Sequence, residues 1–160
     1  MIEPRILKAL VAIVGQAQVA TEPADLLCYS YDATQQSFLP EVVVHPANAA
    51  EIAAIVKLAN AELIPVFPRG AGSGFSGGSL PPKGGIVLTT ERMDRILQID
   101  EENLIAVVEP GVVTEQFQLA VEAVGLFYPP DPASLKFSTL GGNVAECAGG
   151  PRCVKYWVPK

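Results

Sequence analysis

The chain is poor in the groups that most often announce chemistry. Its 160 residues hold one histidine, His45, and three cysteines, Cys28, Cys147 and Cys153. No metal-ligating set is read from them. An odd number of cysteines without an export signal reads as reduced thiols in a cytosolic setting. The start, Met1-Ile2-Glu3-Pro4-Arg5, lacks the basic opening and small-residue cleavage site of a secretory leader. Positive charge is scarce as well: 11 Lys and Arg against 17 Asp and Glu give −6 and a pI near 4.7, with no basic cluster. That argues against nucleic acid as a partner, because phosphate neutralisation dominates such affinity. Nowhere do about 18 apolar residues run together, so no transmembrane helix is expected. There is no internal repeat either.

A 49% hydrophobic content, a mean hydropathy of +0.32 and 18% charged residues can bury a core. Glycine and proline, 14 of each, exceed the ordinary share without reaching low complexity, so their excess sits in particular loops. Ile6, Leu7, Leu10, Val11 and Val14 recur at helical steps and stop at Gly15. Glu22-Pro23-Ala24-Asp25 opens a short second helix, and residues 29–39 read as irregular. The stretch Glu41-Val42-Val43-Val44-His45 is a β-branched strand closed by Pro46. Asn48 then caps a helix carrying Ile52, Ile55, Val56 and Leu58, and residues 63–67 return as a strand. This βαβ pattern predicts parallel strands. His45 reads as a surface or turn residue rather than a catalytic base. Further strands are expected over 86–89, 96–99 and 104–108. A helix capped by Thr114 and ended at Gly125 follows.

Residues 70–78 hold five glycines in nine positions, directly after a strand. Without Cβ atoms the backbone can bring several N–H groups to one anion, forming a nest that needs no charged side chain. Arg69, at the strand end, can add one cation. Gly72-Ser73-Gly74-Phe75-Ser76-Gly77 matches G-x-G-x-x-G, but Gly78, Pro81 and Pro82 follow at once and block the helix that a Rossmann pyrophosphate site requires. No Gly-Lys-Ser/Thr completes a Walker loop. A strand-to-strand loop wrapping a diphosphate remains, beside the plainer reading of a flexible hairpin. Pro129-Pro130-Asp131-Pro132 forms a second, rigid extended segment, leading to Ser134 and Thr139-Leu140-Gly141-Gly142-Asn143. Here Gly141 and Gly142 permit another close backbone approach, Asn143 offers amide donors and an acceptor, and Gly149-Gly150 repeats the device. Ordinary turns are the alternative for this second cluster.

Pro68-Arg69-Gly70-Ala71-Gly72-Ser73-Gly74, Pro129 to Pro132, Gly141-Gly142-Asn143-Val144-Ala145-Glu146 and Ala148-Gly149-Gly150 resemble, in that order, the FAD-binding domain of the vanillyl-alcohol-oxidase (PCMH) type. Within it they resemble the flavin subunit of glycolate oxidase and D-lactate dehydrogenases. The resemblance implies an α+β fold, with a first βαβ-containing subdomain and part of a second. It places an N-terminal helical segment at residues 1–40 and an FAD-binding domain at 41–160, incomplete at its C-terminal end. By resemblance, Pro68, Arg69, Gly70, Ala71, Gly72, Ser73 and Gly74 hold the pyrophosphate. Pro130, Asp131, Ser134, Thr139, Gly141, Gly142, Asn143, Ala145 and Gly149 line the flavin and ribityl stretch. Ser73 stands where covalently flavinylated relatives carry His, which implies dissociable FAD. The family usually has Asn where Cys147 stands; a thiol there reads as a small buried filler.

What the resemblance implies for function is oxidation of a small 2-hydroxy acid to the 2-keto acid, with FAD reduced. The substrate domain is expected to be missing, so that the chain alone does not turn over. Subunits of an oxidase complex are implied partners, with a cytoplasmic location or one peripheral to the inner membrane face. Glu109, Asp131 and Glu146 are carboxylates near the motifs without a sequence reason to act as bases. Lys136 and Arg152 are the cations that could meet a substrate carboxylate, beside the plainer reading of each as solvated surface charge. The rival is a non-catalytic FAD-binding or interaction module. Uncovered apolar faces near Val107, Val144 and Trp157 are expected to favour association when the chain is expressed alone.

Overall fold

The computed structural model describes residues 2–156, so Trp157 lies outside the described residues. The chain divides into two compact units, Met1–Arg92 and Met93–Lys160.

The first unit is built around a four-stranded sheet. Helix α1 (Pro4–Val14) enters through Pro4 and ends at Gly15, whose φ of 90° suits a residue without Cβ. A short strand β1 (Val19–Ala20) and helix α2 (Pro23–Cys28) follow. Strand β2 (Val42–Val44) leads into α3 (Ala49–Ala61), where Asn48 Oδ1 accepts from the Glu51 N–H at 2.9 Å, the cap expected from the sequence. Strands β3 (Val66–Arg69) and β4 (Ile86–Thr89) complete the sheet in the order β1-β2-β4-β3. β2 and β3 are parallel, as the βαβ pattern requires, yet they are not neighbours: β4 lies between them and pairs with both. The returning strand also begins later than expected. Leu63 takes a left-handed φ of 55° and is 88% exposed, Ile64 N–H turns back to Ala59 O, and Pro65 reaches the sheet only through its carbonyl, which accepts from Ile86 N–H at 2.9 Å.

The N-terminal helix belongs to this unit's core. Ile6, Leu10 and Val14, one turn apart on α1, pack with Ile55 and Ala59 of α3 on Val42, Val44, Ile86 and Leu88. Val43 and Val87 point to the opposite face, towards Leu26, Tyr29 and Phe67. A sheet covered on both faces accounts for the unbroken apolar runs of β2 and β4.

In the second unit β5 (Ile96–Asp100) and β6 (Ile105–Val108) form an antiparallel pair, followed by α4 (Thr114–Glu122), α5 (Leu140–Ala145) and α6 (Cys153–Tyr156). Val112, Phe117, Val121 and Leu140 are its buried centre. On the far face Val107 remains exposed, as does Val144 on α5. Thr114 does not cap α4. The capping position is Val113, and Thr114 is wholly buried one residue later. Residues 140–145, read from the sequence as a close backbone approach or else an ordinary turn, are a helix capped by Thr139, whose Oγ1 accepts from the Gly142 N–H at 3.3 Å. Gly141 is needed there because a Cβ would come within 2.6 Å of Pro110 Cβ.

Helix α5 ends in a Schellman motif: Ala148 N–H bonds Asn143 O at 2.8 Å and Cys147 N–H bonds Val144 O at 3.4 Å. The motif puts Cys147 in the left-handed region at φ 50°, with its side chain exposed rather than buried as a filler. A thiol gains nothing there, whereas a left-handed β-carbon costs about 1–2 kcal/mol. Cys147→Gly is therefore expected to raise stability by about 1 kcal/mol in urea unfolding, with Cys147→Ala near neutral.

Candidate cofactor site

β3 delivers Pro68 and Arg69 to the carboxyl edge of the parallel strands, and the glycine loop leaves from there. Among the described residues, the main-chain N–H groups of Ala71, Gly72, Ser73 and Gly74 donate no hydrogen bond within the chain. Gly72 sits at φ 67°, and the space a Cβ would fill is taken by the Arg69 guanidinium. The loop is a cradle with donors to spare, and N–H bonds to an anion contribute about 1.5–3 kcal/mol each. It fits a diphosphate.

Arg69 itself is not displayed on the loop. It is 6% exposed and folded beneath the loop, with its guanidinium carbon 5.7 Å from the centre of the Tyr29 ring and Nη1 3.5 Å from Ser79 Oγ. Burial pulls its pKa down, opposed chiefly by Asp32. Around it stands a network that the sequence reading missed. The Tyr29 hydroxyl donates to Glu91 Oε2 at 3.1 Å, and that oxygen lies 3.4 Å from His45 Nδ1. The same Nδ1 bonds Thr89 Oγ1 at 2.9 Å. The Tyr29 hydroxyl is pushed up to about 12, mainly by burial and then by Glu91. Glu91 is held below the usual carboxylate range, first by His45 and then by Tyr29, against the opposing effect of burial. His45 is accordingly a network member rather than a plain turn residue. A signal for this existed: once Val44 is paired with Leu88, His45 falls beside Thr89.

In the second unit the expected residues divide. Pro130, Thr139 and Asn143 are buried. The Pro130 carbonyl accepts from Gln118 Nε2 at 2.6 Å, and Asn143 Nδ2 donates to Thr114 Oγ1 at 2.7 Å. Asp131, Ser134, Gly141, Gly142 and Gly149 are half-buried and Ala145 is exposed. The Asp131 N–H bonds Gly149 O at 2.8 Å, so the two glycine-proline segments meet. A Cβ on Gly150, at φ 73°, would collide with Asp131 O. Asp131 Oδ2 lies 3.3 Å from Arg152 Nε, and Arg152 packs over the Phe127 ring. Lys136 lines an open, mainly apolar cavity of about 390 Å³ with Asp131, Leu135 and Phe137. Glu109 is tied to Arg95 by two parallel bonds, Nη2 to Oε1 at 2.7 Å and Nε to Oε2 at 3.1 Å.

Residues 40–158 match the model of a family described as an FAD binding domain. The chain belongs to that family. Its cofactor is FAD, and its relatives are oxidoreductases. It is 45% identical over 161 residues to the glycolate oxidase subunit GlcD of Bacillus subtilis, covering 100% of this chain and 34% of that protein. It is 45% identical over 117 residues to a D-lactate dehydrogenase of Anaerostipes hadrus, covering 73% of this chain and 24% of that protein. The chain thus spans about a third or less of the curated relatives it matches. Among solved structures, 4-ethylphenol oxidase from Gulosibacter chungangensis superposes with a TM-score of 0.75 at 28% identity, over 90% of this chain and 29% of that one. An alkyldihydroxyacetonephosphate synthase gives 0.88 at 23% identity, over 99% of this chain and 32% of that one, a likeness of fold. p-Cresol methylhydroxylase superposes with a TM-score of 0.78 at 24% identity, over 90% of this chain and 29% of that one, and this likeness bears out the expected α+β architecture of the PCMH type. Among the described residues no helix is long and apolar enough to cross a membrane.

Proposed function

We propose that the chain binds FAD reversibly and serves as the cofactor-holding part of a flavin-dependent oxidation of a small 2-hydroxy acid. The observation that carries this is the set of free N–H groups at residues 71–74, above a buried arginine. Pro68, Arg69, Gly70, Ala71, Gly72, Ser73 and Gly74 form the diphosphate site in this reading. Pro130, Asp131, Ser134, Thr139, Gly141, Gly142, Asn143, Ala145 and Gly149 form the flavin and ribityl site. Ser73 has no imidazole to form a covalent link, so the flavin dissociates. Glycolate and D-lactate are the substrates suggested by the names of the relatives. Bound FAD supplies the acceptor for the hydride; a protein group must orient the acid and take its proton.

The second reading, a non-catalytic FAD-binding module, is favoured by one observation. The Glu109 and Asp131 carboxylates are engaged by Arg95 and Arg152, which leaves neither unencumbered as a base. One experiment addresses both readings. The purified chain is incubated with FAD and gel-filtered. Flavin colour is expected in the protein peak and is expected to come off on acid precipitation; its absence would remove the cofactor reading. Glycolate or D-lactate is then added without oxygen. Persistent colour is the outcome both readings expect of the chain alone, and bleaching would remove the binding-module reading by showing that the chain catalyses by itself.

A further inference from the structure

Buried cations are normally paired. Arg69 is buried, yet among the described residues it forms no ion pair. Its guanidinium is placed instead by an aromatic face and a hydroxyl: the Tyr29 ring at 5.7 Å and Ser79 Oγ at 3.5 Å. Ser79 lies past the far end of the glycine run, and Gly72 closes over the guanidinium from the near end. Arg69 is thus a strut spanning both arms of the loop. Among the described residues no carboxylate touches it, although Asp32 and then Glu91 attract it from farther off, and the guanidinium lies against Gly72, within the run whose N–H groups are free. Tyr29, which supports the strut, is fixed in turn. Its hydroxyl donates to Glu91, Glu91 meets His45, and the His45 ring stands edge-on to the Tyr29 ring at 5.6 Å.

We propose that Tyr29 and Glu91 are positioning residues for the phosphate-binding loop, acting through Arg69 and not by touching the ligand. The ligand class is a dinucleotide diphosphate, so the inference rests on the reading of residues 68–74 given above. Tyr29 keeps the guanidinium under Gly72, Glu91 orients the Tyr29 ring, and the loop then presents its N–H groups with a fixed positive charge behind them. The arrangement places the cation where its attraction for two phosphates is felt without a direct bond, in surroundings less screened than the surface.

The test is a double-mutant cycle on FAD affinity, read by quenching of flavin fluorescence, with backbone order parameters over residues 70–79 measured by NMR in parallel without FAD. Tyr29→Leu is expected to raise Kd about tenfold. Tyr29→Phe, which keeps the ring but loses the Glu91 bond, and Glu91→Gln should each raise it about threefold. In an Arg69→Met background the Tyr29→Leu change should add nothing, because the route through Arg69 is already gone. Fully additive effects, or an unchanged Kd in Tyr29→Leu, would overturn the proposal. If Tyr29→Leu does not fold, Tyr29→Phe and Glu91→Gln supply the same cycle. If the unaltered chain takes up no FAD, the function proposed above falls. Backbone order parameters over residues 70–79 then decide the positioning role: a fall from about 0.85 to below about 0.6 in the tyrosine variant is expected, and equal values contradict it.

Discussion

Gly72→Ala is expected to raise the Kd for FAD at least a hundredfold while leaving the first unit folded. Gly72 has φ 67°, where a β-carbon costs about 1–2 kcal/mol. That strain alone would be modest. The larger effect is steric, because the new methyl would occupy the place of the Arg69 guanidinium, with even Nη1 only 2.9 Å away. The side chain is flexible, but a guanidinium pushed aside by the methyl shifts from its places at the Tyr29 ring and Ser79, and the loop then loses its strut. Forfeiting two N–H contacts to the diphosphate, at about 1.5 kcal/mol or more each, amounts to about 3 kcal/mol, which is more than a hundredfold in affinity. Gly77→Ala is the control. Gly77 also has positive φ, 76°, but nothing lies within 4 Å of its Cβ position. It should lose about 1 kcal/mol of stability and keep its affinity for FAD. Fluorescence titration of both variants beside urea melts makes the comparison. Near-normal binding by Gly72→Ala would mean that the cradle is not where the diphosphate rests.

The βαβ unit was legible because its signals are local: the Val42-Val43-Val44 run, Asn48 with its cap, and the helical spacing of Ile52, Ile55, Val56 and Leu58, although it is Ile55 and Ala59 that the helix buries while Val56 stays exposed. The position of β4 between β2 and β3 was not, because neighbours in a sheet are chosen by long-range pairing that no short window contains. Helix α5 was hidden by Gly141 and Gly142, which read as turn residues. They sit in its first turn because Thr139 caps it and Leu140 and Asn143 are buried. The same limit applies to the cofactor site. The glycines declared a loop that could hold an anion, but a motif of small residues says nothing about what lies beneath it. Arg69 was legible as a cation and illegible as a strut, since Tyr29 and Glu91 are 40 residues before it and 22 after. The resemblance supplied roles for Thr139 and Asn143, yet it was silent on the polar centre in which both are buried.

That centre gives the second large effect. Thr114, fully buried at the start of α4, sets its hydroxyl 2.9 Å from Ser138 O and from Ser138 Oγ, and accepts from Asn143 Nδ2 at 2.7 Å. Thr114→Val keeps the shape and removes only the hydroxyl. The Asn143 amide then loses its acceptor in a place where the residue is 3% exposed, and an orphaned buried donor costs about 1–3 kcal/mol. With the lost bond to Ser138 the expected destabilisation is about 2–4 kcal/mol, a large share of a typical domain's 5–15 kcal/mol. Asn143→Leu should cost less, because the Thr114 hydroxyl still has Ser138 as a partner. The double variant should cost less than the sum of the two by about 1–2 kcal/mol, since neither orphan remains. Urea unfolding by circular dichroism, with amide exchange at Leu140 and Asn143 as a local probe, measures all three. Additive losses would mean that the hydroxyl and the amide share a site without depending on each other. A shortfall would mean that α4 and α5 are joined through one polar contact, and that the segment from Thr139 to Asn143 is held in shape before any flavin arrives.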